Sequence, residues 1–286
     1  MELVMNELSL AGQFNTIASF YDSLDSMLKI QKTLDKLGVT VLSHSELYNR
    51  MVTHEHTLYD ALSNKSSRGN DKARFFKVML RELMQHKMFW TDSPKHNEQS
   101  IYKCIFTSDV SGYGLAEACE RDKIVISFQN EPFRQNCLEL NKDNVIIKIN
   151  NIYDQKNMAE LLYDSCMKDA YTYCLNRFDG SNISFDNIEE KYGFSSISSV
   201  ETNSFISSFK SFSDLSWDEI VKSKGLQYKP YSPSSKDDDW FARSIYKDKN
   251  IYKFRVSEKY RCFGYRQDDV FFVLRFEVSH SVSNKG

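Results

Sequence analysis

Ile251-Tyr252-Lys253-Phe254-Arg255-Val256, Lys259-Tyr260-Arg261-Cys262-Phe263-Gly264-Tyr265-Arg266 and Val270-Phe271-Phe272-Val273-Leu274-Arg275-Phe276-Glu277 are the three runs that decide how the carboxy-terminal part of the chain folds. In the first, Tyr252, Phe254 and Val256 alternate with Lys253 and Arg255, the period of a strand with one buried face. In the second, Tyr260, Cys262 and Gly264 share one parity and Lys259, Arg261, Phe263 and Tyr265 the other. Gln267-Asp268-Asp269 reads as a hairpin turn, because aspartate side chains bond the nearby backbone. Antiparallel strands lie about 5 Å apart. Arg255, Arg261, Arg266 and Arg275 therefore sit on neighbouring strands, and several are expected to leave the sheet together.

A sheet face that carries guanidiniums and tyrosines suits RNA. Arginine grips two phosphate oxygens at once, and an aromatic face holds an unpaired base. The expected phosphate-binding set is Arg255, Lys253, Lys259, Arg266 and Tyr265. The bland alternative is a solvated face on which the arginines pair with Glu258, Asp268, Asp269 and Glu277.

The same stretch resembles the carboxy-terminal halves of RelE/ParE-type toxins, the bacterial ribosome-dependent mRNA interferases. Arg255-Val256, Ser257 to Arg261, the hairpin from Asp269 to Phe276 and His280 carry the likeness, which covers about residues 226 to 284. It implies a small RelE-like antiparallel sheet with helices and metal-independent cleavage of RNA, ribosome-bound mRNA included. Arg255 would hold phosphate, Arg261 would stabilise developing charge, His280 would be the general acid and Glu258 a candidate base. No cofactor is implied. By analogy, such domains serve bacterial growth arrest or phage defence, often with a protein partner or inhibitor. A non-catalytic binding module for nucleic acid or protein is a further alternative.

The chain has 286 residues, a formal net charge of −2, four prolines, ten glycines and 14% aromatic residues. That length accommodates two cores. The balanced charge means that any nucleic-acid site must be local. Six scattered cysteines without C-x-x-C spacing point to a reduced compartment. With no apolar run of membrane-spanning length and no basic start of an export signal, a cytoplasmic protein without a membrane partner is expected.

Upstream, Leu3-Val4 and Leu8-Ser9-Leu10 read as a first strand ending at Ala11-Gly12, followed by helical spacing of Phe20, Leu24, Met27, Leu28, Leu34 and Leu37, a stop at Gly38 and a second strand at Val39 to Ser43. This βαβ order predicts parallel pairing. The fold class is therefore two-domain, mixing α/β and α+β. An α/β domain spans 1–178, a Ser/Asn-rich connecting region 179–213 and the RelE-like sheet domain 214–286. A helix is predicted from Asn157 to Arg177.

Two other chemistries are conceivable in the first half. The stretch 101–154 resembles the central part of PIN-like nuclease domains, which gather carboxylates around Mg2+ or Mn2+. Glu7, Glu46, Asp109, Glu117 and Glu120 are the acids on offer, and Glu117 and Glu120 are expected on one helix face. Arg81 and His86 match the R-x4-H spacing of HEPN ribonucleases, against the plainer reading of a helix end whose dipole His86 complements.

Overall fold

The structure is a computed structural model that describes residues 1–63, 69–85, 88–163, 169–235, 237–279 and 282. The chain divides into two units, Met1–Cys166 and Met167–Gly286, each with its own mixed sheet.

In the first unit β1 (Glu2–Met5) lies between β2 (Thr40–Leu42) and β4 (Ile124–Ile126) and runs parallel to both. Helix α1 (Ile17–Leu37) makes the crossover. Its Thr16 cap accepts the Ser19 N–H, and Gly38 ends it at φ 66°, a left-handed conformation that glycine adopts without a Cβ clash. Phe20, Leu24, Met27, Ile30 and Leu34 form its buried stripe, so the sequence pattern and the packing agree.

β6 (Val145–Ile152) extends the parallel set beside β4, whereas β5 (Cys137–Lys142) and β3 (Tyr102–Cys104) add an antiparallel edge. The strand order is β2-β1-β4-β6-β5-β3. β5 turns into β6 through Asp143 and Asn144, both at positive φ, as a tight hairpin requires. Helices α2 (Leu58–Ser63), α3 (Asp71–Gln85), α4 (Gly114–Cys119) and α5 (Gln155–Leu162) complete the unit. The single helix expected over 157–177 is instead α5 and α6 (Ala170–Arg177). Asp154 caps the first and Asp169 the second, and the extended backbone at Asp169 (φ −116°, ψ 115°) cannot continue a helix.

The second unit contains α6, β7 (Ile183–Ser184), α7 (Ser199–Ser213), α8 (Trp217–Lys222), β8 (Lys229–Pro230), β9 (Ile251–Arg255), β10 (Arg261–Gln267) and β11 (Val270–Glu277). The sheet order is β7-β11-β10-β9-β8, antiparallel except for the β7–β11 pair. Residues 179–213, expected as a connection, are part of this unit's core. Ser198 and Glu201 close a capping box, and Phe205, Ile206, Phe209 and Phe212 then bury one face of α7. Their rings meet Phe254, Phe271 and Phe276 of the sheet.

The opposite sheet face is not left to water. Tyr231, Trp240 and Phe241 pack on Phe263, and Tyr246 packs on Tyr265. The strands are thus covered on both sides, which one-sided alternation did not predict. Among the described residues no helix is long and apolar enough to cross a membrane.

Candidate functional site

Register places Arg255, Arg261 and Glu277 in one row across β9, β10 and β11, with Lys253, Phe263 and Arg275 in the next. The expected clustering of cations on one side is real for four of these residues. Arg266 departs to the helix side, where its guanidinium lies 3.9 Å from the Trp217 ring centre and bonds to Asp268 O and Asp269 Oδ1.

Burial removes most of the set from a polymer's reach. Lys253 is 2% exposed, Arg275 4% and Arg261 8%, because their side faces the Tyr231–Tyr246 segment. Arg275 grips Glu189 with two bonds of 2.7 and 2.9 Å, donates to Trp240 O and is enclosed by the rings of Tyr192, Trp240 and Phe241. Burial, then the Lys229 charge, pulls Lys253 below the usual lysine pKa, against Glu277. Tyr265 is buried; its hydroxyl accepts from Asn187 and its ring stacks on Phe272, so it offers no face to a base.

Arg261 Nη1 donates to the carbonyls of Ser257 (2.8 Å), Glu258 (3.3 Å) and Tyr260 (2.9 Å), fastening the turn from β9 to β10. Burial, and after it the neighbouring Arg255 charge, lowers its pKa from the usual arginine value. Arg255, directly opposite on β9, is different. Its Nε is shut off from solvent with no acceptor, and its side chain makes no hydrogen bond or ion pair among the described residues. A buried donor left without an acceptor costs about 1–3 kcal/mol. Glu258 and Lys259 are exposed beside it, and His280 lies outside the described residues.

No protein-family model, curated protein or solved structure matches this chain. The reading of the site therefore rests on its own geometry.

Arg255 lines a groove of about 820 Å3 between α7, the turn after α8 and the end of β9. One wall is the face of α7 turned away from its phenylalanines, with Asn203, Ser204, Ser207, Ser208 and Ser211 at three- and four-residue spacing. Leu226 and Val256 contribute apolar surface, and among the described residues no carboxylate lines it. Sequence reasoning passed over these serines, although their spacing is complementary to that of Phe205, Phe209 and Phe212.

The acids of the first unit go to separate places. Glu7 is fully buried; Oε1 accepts from the His44 backbone (3.1 Å) and Trp90 Nε1 (3.2 Å), and Oε2 from the Gly114 backbone (2.7 Å). Burial raises its pKa, against these bonds. Glu117, equally buried, accepts from the backbones of Lys95 and His96, from Arg121 Nε (2.5 Å) and shares a 2.8 Å bond with His96 Nδ1. Burial alone would raise its pKa, but the bonds prevail and hold it below the usual carboxylate value.

Glu120 occupies the cap after α4, where the helical turn has ended, and pairs with Lys142 (2.5 Å) and Tyr102 (3.0 Å) rather than sharing a face with Glu117. Asp109 is exposed and accepts from Ser111; Glu46 is exposed. Among the described residues no three His, Cys, Asp or Glu side chains gather where one cation could be held. The set proposed for Mg2+ or Mn2+ is thus not assembled. Arg81 is exposed on α3, and His86 lies outside the described residues.

Proposed function

We propose that the second unit is a toxin-like RNA-binding module that grips a phosphate at the Arg255 corner. The observation that carries this reading is Arg255, whose side chain makes no hydrogen bond or ion pair among the described residues and which faces a second guanidinium across the strands. A phosphate held at the terminal nitrogens of Arg255 offsets the repulsion between the two cations. Exposed Lys224 and Lys259 add a basic rim, so that affinity should fall with salt. Arg261 acts here as the fastener of the turn that presents Arg255, and Lys253, Arg275 and Tyr265 support the sheet.

Metal-independent cleavage is the second reading. It is favoured by Glu258, an exposed carboxylate that makes no ion pair among the described residues and stands beside the arginines, as a base for the ribose 2′-hydroxyl would. Fluorescence anisotropy with a short single-stranded RNA across a salt series tests the grip. Arg255→Met should weaken binding and reduce the salt slope by about one; unchanged affinity in that variant refutes the reading. Cleavage that persists in EDTA and disappears in Glu258→Gln supports the enzyme, whereas intact RNA leaves a binding module.

A further inference from the structure

We infer that the Arg255 corner prefers a terminal phosphate of the strand, a phosphomonoester with two charges, to the singly charged phosphates within the chain. The inference rests on the proposed grip at Arg255 and names which phosphate that grip takes.

Register supplies the geometry. Lys229, Lys253, Phe263 and Arg275 form one row across β8, β9, β10 and β11, and Arg255, Arg261 and Glu277 form the next row on the same sheet face. Neighbouring strands lie about 5 Å apart and alternate residues of one strand about 7 Å. The nearest charged neighbours of Arg255 on that face are therefore Arg261 across the ladder, Lys253 along the strand and Lys229 on the diagonal. Glu277 is two strands away, and its Oε1 accepts from the Val282 backbone. Arg275 is matched by Glu189, which leaves four cations of these rows to one carboxylate.

Other elements do not cancel that surplus. The turn after β9 brings Glu258 and Lys259, one charge of each sign and both exposed. The Tyr231 ring lies 5.7 Å from Lys253 Nζ. Asp238 and Asp239 act on Tyr231, whereas the charges that Lys253 feels among the described residues are those of Lys229, Glu277 and Arg261.

Burial gives the surplus its effect. Lys253 and Arg261 are buried, so water screens them poorly and their charge acts on an anion held at half-buried Arg255 without touching it. Lys229 is exposed on the edge strand and can reach the ligand itself. A monoester brings a second unit of charge into this field. We expect an advantage of about tenfold in affinity, after the larger desolvation of a dianion.

Anisotropy with one internally labelled single-stranded RNA measures this, the ends being both hydroxyl, 5′-phosphate or 3′-phosphate, so that the two ends are told apart. At about pH 7.5 at least one phosphorylated form should bind about tenfold more tightly than the hydroxyl form. The second proton of a phosphomonoester leaves at about pH 6, so the advantage should be present above that pH and gone by about pH 5. Lys229→Gln, at an exposed position, and Lys253→Met, which exchanges a buried charge for an apolar side chain, should each cut the advantage about threefold. Matching circular dichroism and unfolding midpoints confirm that the fold is kept.

Equal affinity for hydroxyl- and phosphate-ended strands overturns the inference. So does an advantage that persists in acid or is unchanged in both lysine variants. Arg255→Met separates the two proposals, because weaker binding of the hydroxyl-ended RNA in that variant supports the grip whatever the ends do. Undiminished binding sinks the grip, and the end preference with it. A wild-type protein that binds none of the three RNAs refutes both.

Discussion

Glu117→Gln should destabilise the first unit by about 3 kcal/mol. The carboxylate takes two backbone N–H groups, the His96 ring and the Arg121 Nε, all from within the protein. A glutamine retains one acceptor oxygen and turns an NH2 toward the remaining donors. At least one of them is left unpaired, at about 1–3 kcal/mol. Arg121, whose side chain is 5% exposed, keeps Glu2 alone as a charged partner among the described residues. Breaking a buried pair costs about 3–5 kcal/mol, which Glu2 partly offsets.

For a unit the size of Met1–Cys166, each kcal/mol moves the midpoint by roughly 2–4 °C, so a fall of about 6–12 °C is expected. Urea and thermal unfolding by circular dichroism measure the total. Hydrogen exchange at the Lys95 and His96 amides reads the local effect. The folded Glu117 pKa lies below the free value, so its contribution is complete above the unfolded carboxyl pKa, about 4.5, and is lost as pH falls through the folded one. The gap between wild type and variant should close in acid. A variant within about 0.5 kcal/mol of wild type at neutral pH, or a gap that does not change with acid, refutes this account.

Gly264→Ala should be among the most damaging single changes in the second unit. Its Cβ would lie 2.2 Å from the Phe272 carbonyl oxygen and 2.7 Å from the Phe271 ring, so strand backbone would have to move, at about 3 kcal/mol in urea unfolding. Arg275→Lys keeps the charge but loses the two-bond fork to Glu189 and the planar contact with three rings. We expect a loss of about 3 kcal/mol and a red shift of Trp240 fluorescence; wild-type stability would show that charge alone suffices. Excess Mn2+ should leave the midpoint of the first unit unchanged, and a rise would restore a carboxylate site to consideration.

The strands from Ile251 to Glu277 were legible because alternation and a turn at Gln267–Asp269 coincide. Alternation says which residues share a side but not whether that side meets water. Lys253 and Arg275 looked solvent-facing until Tyr231, Trp240 and Phe241 covered them. The cue was available, since a loop so rich in aromatic rings needs a surface to cover. α7 was missed for the opposite reason: its many serines read as a linker, although Phe205, Phe209 and Phe212 keep helical spacing and Ser198 with Glu201 spells a capping box. Glu117 and Glu120 separated because α4 stops at Cys119, and one residue of boundary error changes a shared face into two. The state of Arg255 had no sequence signal. An unsatisfied donor depends on where every neighbouring side chain ends up.

Glu7 takes its three donors from residues 37, 83 and 107 positions downstream. A ribosome delivers these partners one after another, so the carboxylate stays hydrated until Gly114 has emerged. The strand that precedes it waits as well for β4, its neighbour on one side. The first unit is therefore obliged to assemble late in its own translation, and a nascent chain stalled before that glycine should remain a substrate for chaperones and proteases.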